Sequence, residues 1–149
     1  MLIIAPLDPF TASFDSLLEE SKLEGQRMLV RLRDNWHSGV NRFALPGERL
    51  NGVFCLDDHH QRRLVATGGR NIDPYSHQQR AGRIRHLYVT HALRRQGIGQ
   101  LLMAHLIDGA SLYFNYLNTH APQAAYAFYQ RLGFEPVSGD ESVTHRLMF

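Results

Sequence analysis

Residues 94–99 read R-R-Q-G-I-G and stand between an apolar run that ends at Val89 and an amphipathic stretch that begins at once. Strand, tight turn and helix in that order aim several backbone N–H groups and a helix N-terminus at one spot, which is how proteins hold a pyrophosphate. Gly97 and Gly99 let the backbone turn sharply and approach an anion. The turn is not a Walker A loop, because no G-K-[ST] places a lysine and a magnesium-binding hydroxyl. It is not G-x-G-x-x-G either, since Leu102 occupies the place of the third glycine.

The pattern that does fit is [QR]-x-x-G-x-[GA], with Arg94, Gly97 and Gly99 at its fixed positions. A second motif, A-Y-A-F-Y-Q-R-L-G-F from Ala125 to Phe134, matches A-x-x-F-Y-x-x-x-G-F. Together they resemble the GNAT superfamily of N-acetyltransferases, and the resemblance covers nearly the whole chain. It implies acetyl-CoA as cofactor and a primary amine, of a small molecule or peptide, as acceptor. It further implies that the amine attacks the thioester directly in a ternary complex.

By motif position, the backbone of Leu87 and Val89, on the strand that carries Tyr88, pairs with the pantetheine arm. The amides of Gln96, Gly97, Ile98 and Gly99, with Gln100 next in line and Arg94 and Arg95 flanking, receive the pyrophosphate. Tyr129 takes the tyrosine position often assigned as general acid to the departing thiolate, a role that a phenol O–H can fill.

Two positions depart from the family. Pro122 stands where many members carry an asparagine that contacts the cofactor, and Asn118 lies near but at the wrong spacing. Arg83 stands where a catalytic glutamate is common, and a guanidinium cannot act as a base near neutral pH. Candidates for a replacement base are His86, His145 and Asp73. An imidazole suits the task, although His86 and His145 also read as core histidines and Asp73-Pro74 as the start of a turn. Expected acceptor-pocket residues are Trp36 and Phe43 in one loop region and Asn71, Asp73 and Tyr75 in another; the alternative makes these surface turns with Trp36 in the core. The departures keep a second function in view, a CoA-binding sensor or regulatory module without catalysis. The glycine turn by itself also fits a general nucleotide-binding domain.

The elements that position these residues follow from periodicity. Leu2–Ala5 reads as a strand, Ser13–Glu24 and Gln26–Trp36 as helices, and Leu50–Leu56 with Arg63–Gly69 as a hairpin around D-D-H-H-Q-R. A polar loop over Asn71–Ala81 leads to a strand over Gly82–Val89. After the helix that follows the glycine turn come a strand at Ser111–Leu117, a helix at Ala121–Leu132 capped by Gly133, and strands at Phe134–Val137 and Val143–Phe149. Such an order predicts an α/β (α+β) fold: a mixed, mostly antiparallel sheet of about seven strands, flanked by four helices. The family adds a splay between the fourth and fifth strands.

Composition narrows the classes. A chain of 149 residues suits one domain over 1–149. One cysteine, Cys55, excludes an internal disulfide and a cysteine-based metal site, and no H-x-H or H-x-x-x-H is present, so no metal is expected. A formal charge of +2 lends no support to nucleic-acid binding. No apolar run suits a membrane span and the first residues lack a signal-peptide pattern, so the expected location is cytoplasmic, away from membranes. Aromatic strands near the C-terminus suit a homodimer.

Overall fold

Thr11 starts the first helix: its Oγ1 accepts the Phe14 N–H at 3.3 Å, and helix α1 runs Ala12–Leu23 with Phe14, Leu17, Leu18 and Ser21 on its buried side. Helix α2, Met28–Ser38, buries Leu29 and Leu32 and stops at Gly39 in the left-handed region. Before them lies strand β1, Leu2–Pro6, and after them strands β2, Arg49–Leu56, and β3, Arg62–Ile72. The turn that joins β2 to β3 is held by Asp57, whose Oδ1 accepts the N–H groups of His59 (2.9 Å) and Gln61 (2.8 Å). Strand β4, Ala81–Val89, leads through the glycine turn into helix α3, Ile98–Ile107; β5, Tyr116–Thr119, helix α4, Tyr126–Arg131, β6, Glu135–Pro136, and β7, His145–Met148, complete the chain. The computed structural model describes residues 1–149.

All seven strands join one sheet in the order β1-β2-β3-β4-β5-β7-β6. Every neighbouring pair is antiparallel except β4–β5. That parallel pair spans only Ala81–Arg83 against Tyr116–Asn118, after which the strands diverge. The mixed sheet, its four helices and the splay match the sequence expectation.

Two apolar cores flank the sheet. One gathers Phe14, Leu17, Leu18, Leu29, Leu32, Leu50, Leu64 and Tyr88 under α1 and α2. The other gathers Val53, Val65, Ile84, Leu102, Met103, Leu106, Leu117 and Phe134 around α3. Leu64 and Val65 fall in opposite cores, as strand alternation requires. Each fully buried leucine contributes roughly 2 kcal/mol.

Several elements differ from the sequence reading. Strand β3 continues to Ile72, since Arg70, Asn71 and Ile72 pair with Ile84, Arg83 and Gly82; the connecting loop is correspondingly shorter. Only the end of the aromatic run at Ser111–Leu117 is strand. Gly109 adopts a left-handed conformation, a single 3-10 turn follows at Ala110–Leu112, and β5 begins only at Tyr116. Ala110 and Phe114 are both buried four residues apart, a helical spacing that aromatic content masked. The expected helix over Ala121–Leu132 is delayed. Pro122 is extended and the Ala121 N–H is tied to Thr144 Oγ1 at 2.9 Å, so a 3-10 turn at Gln123–Ala125 must precede α4.

Candidate active site

The glycine turn opens a cavity of about 430 Å³ bordered by Val89, Arg95, Gly97, Gly99, Phe128 and Arg131. Arg95 and Gly97 both have left-handed backbones, φ 64° and 82°. This bends the chain so that the N–H groups converge. The amides from Arg95 through Gln100 take no turn, cap or side-chain acceptor, and the first one bonded is that of Leu101, to the Gly97 carbonyl at 2.9 Å. Free donors at a helix N-terminus beside a cavity are the arrangement with which proteins hold anions. A methyl group at Gly97 would meet no protein atom within 4 Å, so protein packing is not what demands glycine there. The φ value and the open side where a ligand would approach demand it.

Arg94 corrects the expectation for this end. Its guanidinium grips Glu24, the residue that caps the C-terminal end of α1 (Nη1–Oε2 2.9 Å), donates from Nε to the Val89 carbonyl at 3.0 Å and lies over the Tyr88 ring. The bond to Glu24 raises the Arg94 pKa and, from the other side, lowers that of Glu24. Arg94 therefore clamps α1 to the end of β4 and leaves Arg95 and Arg131 as the uncommitted cations of this cavity. Arg131 escaped the sequence reading; its place three residues after Phe128, on the same helix face, was the available signal. Tyr88 is likewise turned away: its hydroxyl meets Glu20 and Glu24, so only its backbone is offered to the splay. Ile98 is a core residue, 3% exposed, so its amide alone is available there.

A larger cavity, about 520 Å³, opens where β4 and β5 part. Leu87 lines it and Val89 lines the smaller one, so β4 joins the two. Beyond Arg83 the β4 edge that faces β5 has no partner strand. Tyr129 stands in the wall, its ring wedged edge-on between Phe128 (5.2 Å between centroids) and Phe134 (5.3 Å). Burial raises its pKa, against a smaller opposing effect of Thr119, so the hydroxyl carries its proton throughout the physiological range.

The remaining expected residues divide. Tyr75 lines the larger cavity, its ring under Arg83 at 4.8 Å and Arg85 at 5.9 Å. Trp36 and Phe43 do not; they border a separate cavity beside β1 and β2, with His105. Phe43 is a core residue that packs over Gly69, where a side chain would come within 2.6 Å of its ring. Asn71 is buried on β3 away from both cavities.

The three candidate bases are corrected too. Asp73 is buried and committed: Oδ1 accepts from Arg83 Nε at 2.9 Å and Oδ2 from Asn118 Nδ2 at 2.8 Å, while Asn118 Oδ1 accepts from Arg146 Nε at 2.6 Å. That network also occupies Asn118, which is therefore not a stand-in for the missing family asparagine. His145 is 1% exposed, with Nδ1 at Thr144 Oγ1 and Nε2 near Gln130, stacked behind Tyr129 and outside the cavity.

His86 does line the cavity, but burial, then the Arg85 charge, lower its pKa to about 3. So weak a base takes no proton from an ammonium group. The reason is a bulge: β4 uses one extra residue between the pairs Gly69↔Arg85 and Thr67↔Tyr88, and His86 sits there at φ 59° with its ring against Phe43. The sequence missed His120, an exposed imidazole at the end of β5 on the wall of the same cavity, along with Arg31, Arg85 and Ser142.

The buried neutral His86 has a consequence for stability. Its folded pKa lies below the unfolded value of 6.5, so the unfolded chain binds more protons. Its contribution is complete above pH 6.5 and is lost as pH falls toward 3. The slope is at most ~1.4 kcal/mol per pH unit. His86→Asn, which keeps a residue suited to positive φ, is expected to flatten that dependence in urea unfolding followed from pH 7 to pH 4. Parallel curves for the two proteins would dismiss the assignment.

No group of three or more His, Cys, Asp or Glu side chains is placed to hold a metal ion, and no helix is long and apolar enough to cross a membrane.

Comparison with known proteins agrees with this fold. A family described as the acetyltransferase (GNAT) domain matches residues 49–136. A provisionally assigned acetyltransferase from Exiguobacterium sp. 255-15 is 33% identical, with a TM-score of 0.84 over 99% of this chain and 93% of that one. An acetyltransferase from Streptococcus agalactiae 2603 shares the fold at 13% identity, with a TM-score of 0.73 over 99% of this chain and 98% of that one. The NatC complex bound to Gag peptide and CoA shares it at 16% identity and a TM-score of 0.71, over 99% of this chain and 98% of that one.

Proposed function

The chain belongs to the GNAT acetyltransferase family, and from that premise we propose that residues 1–149 act as one domain in which the two cavities joined by β4 divide cofactor from acceptor. It is an acetyl-CoA-dependent N-acetyltransferase whose acceptor is an amine of a small molecule or peptide. The observation that carries the division of labour is the run of unbonded amides from Arg95 to Gln100 beside the smaller cavity. Those donors, with Arg95 and Arg131, fit a diphosphate.

Bound acetyl-CoA supplies a thioester activated toward amines. The chain's own residues do the rest. The free edge of β4 from Leu87 to Val89 holds the linker and aligns the acyl group with the larger cavity. Tyr129, protonated and buried, is the donor to the sulfur that leaves. Arg31 and Arg85 disfavour an ammonium in that cavity, so the acceptor is held as the free amine. Its proton departs toward His120 and solvent.

Gly97→Ala tests the phosphate end, with Gly109→Ala as a matched control. Both positions have positive φ, 82° and 72°, and neither would bring a methyl group against a protein atom within 4 Å. Both variants are expected to lose roughly 1 kcal/mol of stability. Only Gly97→Ala should weaken CoA binding, by about tenfold or more in calorimetric titration, since 1.4 kcal/mol is already tenfold. Equal affinity in the two variants would remove the glycine turn from the site.

A further inference from the structure

The cavity where β4 and β5 part has a wall of one sign. Arg31, Arg83 and Arg85 line it, and no aspartate or glutamate does. The nearby Asp140 is turned onto Ser142, accepting from its N–H at 2.9 Å and its Oγ at 2.8 Å. An acceptor site built for polyamines or other polycations would show the opposite polarity.

The arginines are also underused. The guanidinium groups of Arg31 and Arg85 make no hydrogen bond or ion pair with any protein group, although Arg85 is half-buried. Arg83 is 3% exposed and gives Nε to Asp73, yet its Nη2 is buried with no partner at all. A buried donor left without an acceptor costs about 1–3 kcal/mol, more when charged, and so marks a place for one. Tyr75 holds Arg83 and Arg85 over its ring, which fixes the two guanidinium planes against the cavity. Planar forks of this kind match the oxygens of a carboxylate or a phosphate.

We propose that the acceptor is a small amine that also carries an oxyanion, and that Arg85 and Arg31, backed by Arg83, bind that oxyanion while the amine faces Tyr129 and the thioester. The proposal rests on the acetyltransferase reading and names its substrate class. The cavity of about 520 Å³ suits an amino acid or an aminoalkyl phosphate. One end of such a substrate is attracted and the other is pressed to give up its proton by the same charges.

The test is release of free CoA thiol with matched pairs of acceptors: amino acids against their carboxamides, and 2-aminoethyl phosphate against ethanolamine, with spermidine as the polycation. Calorimetric binding of the same amines to the enzyme–CoA complex is the second readout. Each oxyanion-bearing amine should exceed its neutral partner in kcat/KM by roughly tenfold to hundredfold, the worth of a charge-assisted hydrogen bond, and the pair that shows the larger ratio tells carboxylate from phosphate. Arg85→Gln should collapse that ratio. Arg31→Gln on the exposed side of α2 should reduce it as well, and covers the case in which Arg85→Gln fails to fold. Preference for neutral amines or spermidine would overturn the proposal, as would a ratio untouched in both variants. So would the absence of any calorimetric binding of the anionic amines when CoA binds. If CoA itself does not bind, the acetyltransferase reading fails first and this one falls with it.

Discussion

Tyr129→Phe is expected to lower kcat by roughly 10²- to 10⁴-fold, the usual worth of a positioned proton donor, while CoA affinity stays within a factor of about two. The split follows from geometry. The Tyr129 ring is packed between Phe128 and Phe134 and stacked against His145, and phenylalanine preserves all three contacts. What it removes is one O–H on the wall of the larger cavity, away from the amides proposed for the diphosphate. Because burial raises the Tyr129 pKa above its ordinary value of 10.0, the acid form is present at any neutral assay pH. Thiol-release kinetics at saturating acceptor, with calorimetry for CoA, provide the measurement. A variant as fast as the parent would take Tyr129 out of the mechanism and leave solvent to protonate the sulfur.

The second large effect is on stability. Asp73→Ala is expected to cost about 3–5 kcal/mol, the penalty for leaving a buried partner charge alone. For a domain of this size that is a fall in Tm of roughly 10 °C. Asp73 serves Arg83 and Asn118 together, and Asn118 in turn serves Arg146, so one carboxylate closes the base of the splay. The side chains of Arg83 and Asp73 are 4% and 1% exposed, which is why water cannot replace the lost partner. Asp73→Leu combined with Arg83→Met should recover much of the loss, because an apolar pair of similar volume removes both unpaired charges. Thermal unfolding of the single and double variants decides this. A single variant within about 1 kcal/mol of the parent would mean that the pair is structurally idle.

That network shows why the candidate bases were harder to read than the glycine turn. At the family's glutamate position stands Arg83, which the sequence exposed as a missing base without showing what the arginine does instead. Its role depends on Asp73, ten residues earlier, and that contact exists because β3 runs on to Ile72 and pairs with β4. Arg94 presents the same difficulty. It satisfies the motif, yet its guanidinium is spent on Glu24, 70 residues away in the chain. His86 looked like a base with the right ordinary pKa until the bulge turned it into a buried ring beside Arg85.

What the sequence by itself determined is the glycine turn and its setting. Val89, Arg95, Gly97 and the start of α3 are contiguous, and their geometry is a matter of local backbone preference, so residue type and spacing suffice. The mixed sheet with helices on both faces was legible for a related reason, since periodicity records which face each element buries. The tertiary structure alone decided the larger cavity, the one proposed for the acceptor. Arg31 comes from α2, Arg85 from β4, His120 from the end of β5 and Ser142 from the loop before β7. Their meeting is set by how separate elements pack, and no local pattern encodes it.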